Sequence, residues 1–245
     1  DVDFANLSVY GSNIIETLKL SYNTLDPRLK LCFAYCSLFL KEWSVFKDDL
    51  IRIFIALGYV KKKYKHQSLM DAGEECLLSL VKRGLFNNVS WGDFGSILRF
   101  KMHDLIHDLA VSVAGCKLKM VESKEDELDD RVRHVSLREK ADICLESLSK
   151  IRHLRSLLLM GMPCTFPKLI ALLSFFPYLR VLRLSSVGML EVPTSIGKLI
   201  HLRHLNLLEN PFRELPKSVK GLVHLQSLDL RWCDRLKQLP GEIGE

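Results

Sequence analysis

Long apolar runs are missing from this 245-residue chain. Nothing in it therefore reads as a membrane-spanning helix, which needs about 20 predominantly apolar residues in a row. Paired cysteines are missing as well. The seven cysteines, at positions 32, 36, 76, 116, 144, 164 and 233, are odd in number, scattered and mostly set in apolar surroundings, and no CxxC occurs. That pattern argues against a disulfide framework or a cysteine zinc site and for buried, reduced thiols of an intracellular protein. Nowhere does G-x-x-x-x-G-K-[ST] appear, so the loop that cradles nucleotide phosphates is not in this chain. Charge of one sign is in only modest excess, a net +6 with pI ≈ 8.9. That balance permits nucleic acid or an anionic membrane as a partner without requiring either. What is there is globular in composition, 48% hydrophobic and 26% charged. The chain opens on Asp1 and stops at Gly-Glu inside a repeating pattern, which is read as a piece of a longer protein.

The repeat governs the C-terminal half. L-x-x-L-x-L starts at Leu154, Leu179, Leu202 and Leu225, spacings of 25, 23 and 23 residues. Three of these strings are followed by a second echo, EVPTSIGKL, ELPKSVKGL and QLPGEIG. Such a period is the signature of a leucine-rich solenoid, in which each leucine string is a short parallel strand and the Pro-initiated segment returns on the outside. RHVSL, from Arg133 to Leu137, reads as a degenerate lead-in strand. Residues beside the inward leucines should face outward as a partner-binding surface: Ser156, Leu158 and Met160; Val181, Arg183 and Ser185; His204, Asn206 and Leu208; Ser227, Asp229 and Arg231. Of these, Ser156, Leu158, Val181, Arg183, His204, Asn206, Ser227, Asp229 and Arg231 are the candidate contacts.

The N-terminal half has the helical period instead. Ser12 or Asn13 would cap a helix through IIETLKLSY, and Pro27 opens RLKLCFAYCSLF after Asp26. DDLIRIFIALG is stopped by Gly58, and MDAGEECLLSLVKRG ends at Gly84. LFNNVSW and ILRFK, joined by GDFGS, read as a hairpin. Helices with a late hairpin predict a winged-helix domain. The expected architecture is thus multidomain α+β. Residues 1–115 form the winged helix, and 116–150 a charged, exposed connector with the lead-in strand. Residues 151–245 hold about four leucine-rich repeats of an α/β solenoid.

The hairpin runs into FKMHDLIHDLAVSVAG, Phe100 to Gly115, which contains two histidines four apart. A zinc protease would need that pair, a Glu base and a third ligand. Asp104 is one methylene shorter than Glu, and no downstream His or Glu has the required spacing. No metal and no catalytic residue is expected. The plain alternative is an amphipathic helix carrying two surface histidines, with Met102, Leu105, Ile106, Leu109, Ala110 and Val113 as its apolar stripe. At a helix start, however, a histidine also stands beside backbone N–H groups that suit a phosphate.

Met-His-Asp at that point, after LKLSYNTLDPRLKLCFAYCSLF (Leu18 to Phe39) and LIRIFIALGYV (Leu50 to Val60) and before the leucine repeats, resembles one family. It is similar to the plant intracellular immune receptors of the nucleotide-binding leucine-rich-repeat (NB-ARC) type. Leu40 replaces the family's usual proline, and Phe54 stands where tryptophan is common. The resemblance implies a winged-helix subdomain closing a nucleotide-switch module. His103 would sit against the β-phosphate of ADP, with Met102 and Asp104 supporting it. ADP or ATP would bind in the intact protein; this chain alone should neither hold ADP tightly nor hydrolyse ATP. The repeats would recognise a pathogen effector or a guarded host protein and would also contact the upstream nucleotide-binding domain. Activation could produce an oligomer. The family implies a cytoplasmic protein, with a nuclear pool allowed, and a defence-signalling role. A winged-helix DNA-binding regulator and a nucleotide-free repeat scaffold are the alternatives. KKKYK, Lys61 to Lys65, is the stretch that would serve DNA, yet it reads better as a solvated basic loop, and nucleic acid is disfavoured.

Overall fold

Asp26 and Pro27 show how local chemistry places the first helices. The Asp26 carboxylate accepts from the Arg28 N–H at 2.9 Å, and Pro27, which has no N–H to lose, opens the helix. The computed structural model describes residues 16–41, 43–92, 97–123, 125–137, 145–160, 170 and 173–241. The chain divides into two units, Asp1–Gly115 and Cys116–Glu245. The caps expected at Ser12 and Asn13, and most of the GDFGS turn, lie outside the described residues.

In the first unit, α1 (described over 16–23) and α2 (Pro27–Tyr35) lead to a short strand β1 (Val45–Phe46). Helices α3 (Lys47–Leu57) and α4 (Leu69–Lys82) follow, then β2 (Asn87–Trp91), β3 (Ile97–Lys101) and α5 (Asp104–Ala114). Gly58 stops α3 with φ 80°, a left-handed conformation that a side chain would oppose. At α4, Ser68 and Asp71 exchange reciprocal side-chain-to-backbone bonds at 3.0 and 3.2 Å, a capping box. The three strands lie antiparallel in the order β1-β3-β2, with Val45 opposite Phe100. Buried Phe33, Tyr35, Leu50, Ile53, Phe54 and Leu80 make the core. The Tyr35 ring stands edge-on to Phe54 at 6.3 Å. The aromatics of CFAYCSLF are thus packing residues. The buried Cys32 and Cys36 thiols are pushed up by burial, which leaves them inert.

The second unit is one six-stranded parallel sheet in chain order: β4 (Leu118–Val121), β5 (His134–Leu137), β6 (Ser156–Met160), β7 (Val181–Ser185), β8 (His204–Asn206) and β9 (Ser227–Asp229). The register is regular, with Leu157 opposite Leu182 and Leu182 opposite Leu205. The lead-in strand expected at Arg133 to Leu137 is β5, but the exposed connector expected over the rest of 116–150 is corrected here. β4 belongs to the sheet, and Val121, Leu128, Val132 and Leu148 join the same core as the repeat leucines. Charge at 122–130 sits mostly on exposed loop positions, which hid the few apolar residues that turn inward.

Two further repeats emerge that the leucine pattern did not display. The carbonyls of Arg133, Arg155, Arg180 and Arg203 each accept two N–H groups from the next rung at 2.7–3.2 Å, tying rung to rung. Ser186, Glu209 and Trp232, 23 residues apart, all take φ of 56–57°. This left-handed turn is costly for residues other than glycine. It comes after each strand and just before a buried residue, Val187, Asn210 or Cys233.

Candidate functional site

Met102 directly follows β3 and is buried, so it anchors the start of α5 to the core. His103 is the helix N-cap, in extended conformation (φ −62°, ψ 149°), and its side chain is exposed. Its Nδ1 accepts from the Leu105 N–H at 3.3 Å, while its carbonyl receives the Ile106 and His107 N–H groups, each at 2.9 Å. A ring nitrogen that accepts cannot carry the proton, so in this arrangement the proton sits on Nε2. Asp104 is exposed in the first turn, where a carboxylate complements the helix dipole.

The two histidines have different surroundings, which corrects the reading of both as surface residues. His107 is buried and its Nε2–H donates to the Phe39 carbonyl at 2.8 Å, fastening α5 to the turn after α2. Its Nδ1 has no partner among the described residues. Asp108, on the exposed side, pairs with Lys41 at 2.7 Å. One histidine therefore caps the helix and the other holds it down, and they do not converge on a common point.

The nine strand-face residues of the repeat unit are also partly corrected. Ser156, Leu158, Val181, Arg183, His204, Asn206 and Asp229 are buried; only Ser227 and Arg231 keep access to solvent. Alternation along a strand tells which side a residue takes, not whether that side is covered. Polar members bond to one another, both across neighbouring strands and along a strand. His204 Nδ1 lies 2.6 Å from Ser227 Oγ, and the Asn206 amide donates to Asp229 at 3.2 Å. Arg183 Nε donates to the hydroxyl of Ser185 at 3.1 Å. Arg231 clasps Asp229 with two N–H bonds of 2.9 and 2.6 Å.

The winged-helix domain of disease resistance proteins matches residues 38–110, and a leucine-rich repeat region matches 153–245. Disease resistance protein RGA2 of Solanum bulbocastanum is 34% identical over 231 residues, covering 94% of this chain and 21% of that protein. The chain belongs to the plant disease resistance protein family. Putative disease resistance protein RGA1 of the same species is 33% identical over 84% of this chain and 18% of its own length. A putative disease resistance protein of Arabidopsis thaliana is 32% identical over 82% and 15%. The chain thus spans about a fifth or less of these curated relatives. His103 lies within the matched winged-helix region, and all nine strand-face residues lie within the matched repeats.

Sequence reasoning missed Asn210. Its buried amide donates to the Leu184, Leu207 and Leu208 carbonyls at 2.7, 2.8 and 3.2 Å, and its oxygen accepts from Met189 N–H at 3.0 Å. In the next repeat Cys233 Sγ approaches the Leu207 carbonyl at 3.2 Å. Both residues stand eight positions after their leucine start, and an Asn or Cys there is part of the repeat consensus. That signal was present in the sequence.

Proposed function

We propose that this chain is the latch and the beginning of the sensor of a resistance-signalling receptor, and that His103 is the latch residue. In the intact protein, ADP bound by the upstream nucleotide-binding domain would present its β-phosphate to His103. The observation that carries this reading is the cap geometry. With Nδ1 engaged by the Leu105 N–H, the imidazole is oriented at the helix start with its proton on Nε2, a donor suited to a phosphate oxygen. Met102 supports it as a buried anchor. The Asp104 carboxylate would repel phosphate, so its support is to the helix end.

A contact made in one nucleotide state and not in the other biases a two-state element, which is what a resting receptor requires. The repeats would supply the second bias by binding a pathogen effector or a guarded host protein, a general use of such solenoids. Neither matched region is catalytic by itself, so any ATP turnover would belong to the upstream domain. Among the described residues, no helix is long and apolar enough to cross a membrane. The DNA-regulator alternative gains nothing from α3, whose residues are mostly packed away. Asp49, Leu50, Ile51, Ile53, Phe54, Ala56 and Leu57 of that helix are buried. In KKKYK, Lys63 is held by Glu75 at 2.9 Å.

The test is the release of labelled ADP from the full-length parent. His103→Ala should release it at least about tenfold faster, the loss of one charge-assisted hydrogen bond. Identical release rates would remove His103 from the latch.

A further inference from the structure

In the repeat unit, each leucine string is preceded by a ring, and the first three are also followed by a cation. The residue before the first leucine is His153, Tyr178, His201 and then His224; the residue after it is Arg155, Arg180, Arg203 and then Gln226. The rings stack in a column. His153 and Tyr178 are 5.4 Å apart at 27°, Tyr178 and His201 6.1 Å at 12°, and His201 and His224 6.1 Å at 6°. The arginine backbones are locked in step with them by the paired N–H bonds between rungs. Column and arginines, with Arg133, line one open cavity of about 520 Å³.

Charge sets this cavity apart from an ordinary solvated edge. Its lining comprises four arginines, three histidines and a tyrosine, with no carboxylate. Among the described residues, neither Arg155 nor Arg203 has an acidic partner, although ion pairs serve other charges of the same unit, such as Lys119 with Asp126. Like charges on adjacent rungs repel, and a concave cationic site concentrates anions. The field is felt nearby. The buried His134 is held down to about 3, first by burial and then by Arg155, Arg133 and Arg180.

Guanidinium forks match phosphate oxygens two at a time. The volume lies within the range of about 300–1,000 Å³ usual for small-molecule sites. Within the column the two inner rings, Tyr178 and His201, each have a neighbouring ring on both sides. Single-stranded nucleic acid relies on open aromatic faces for its bases, and the column offers few. We propose that this arginine–imidazole row is a binding site for a small anion carrying several phosphate groups. The site lies wholly in the repeat unit and does not depend on the nucleotide latch.

The test uses the 245-residue chain and inorganic tripolyphosphate, followed by titration calorimetry at low and physiological salt. Saturable binding that weakens with salt is expected. Arg155→Gln with Arg203→Gln should weaken it at least about tenfold. Glutamine already fills the equivalent place in the next rung as Gln226, so this pair is compatible with folding. Arg155→Lys with Arg203→Lys should keep part of the affinity. Lys61→Ala with Lys62→Ala, in the basic loop of the other unit, should keep all of it. Absence of saturable binding would overturn the proposal. So would equal loss in the lysine variant, or tighter, competing binding by a single-stranded oligonucleotide.

Discussion

His134 links a single residue to the stability of the repeats. It is buried, its Nδ1 lies 2.8 Å from Ser156 Oγ, and its pKa is lowered to about 3 by burial and then by neighbouring arginines. In the unfolded chain a histidine titrates near 6.5, as model peptides do. Between those values only the unfolded state takes up the proton. The stabilisation is therefore complete above about pH 6.5 and is lost as pH falls, by about 1.4 kcal/mol per pH unit. Asp126 and Asp129, whose carboxyls are held below the usual range by N–H and basic partners, contribute only under more acid conditions. Denaturant unfolding of the repeat unit at pH 7 and pH 5 should therefore show a fall of about 2 kcal/mol that His134→Gln lacks. An equal fall in the variant would contradict it. The other histidines show how far residue chemistry was legible. The helical pattern put His103 and His107 together on one flank. It could not show that the helix starts one residue after His103, or that Phe39 offers a carbonyl to His107 from 68 residues away.

Elements were more legible, because caps and periods are local. Asp26-Pro27, Gly58 and Gly84 bound helices where their chemistry demands, and the leucine strings became β6 to β9. β4 was not legible. It lacks the leucine string, and only stacking on β5 makes it a rung. The returns between strands rest on two contacts that can be broken singly. Asn210→Ala would leave buried carbonyl and N–H groups without partners and should cost on the order of 3 kcal/mol. Asn210→Cys, copying Cys233, should recover part of it in the same denaturation measurement. At Gly197 a Cβ would fall 2.3 Å from the backbone oxygen of Ser218 in the next return segment. Gly197→Ala should therefore lower stability by about 1–3 kcal/mol. Gly241→Ala, with nothing within 4 Å, should leave the thermal midpoint nearly unchanged. Equal effects at the two glycines would show that the return segments do not stack this closely.

At the scale of the whole molecule, a winged-helix unit and a leucine-rich unit share one chain of the disease resistance family. Order and motif spacing carried that identity in the sequence. Accessibility did not, since seven of the nine expected contact residues are buried. The central claim is that the first unit, through His103, helps the intact receptor retain ADP. Bound nucleotide extracted from the full-length parent, purified under native conditions beside its His103→Ala variant, tests it most directly. ADP near one per protein in the parent, and clearly depleted in the variant, is the predicted result. Equal ADP in both, or none in the parent, would contradict the claim.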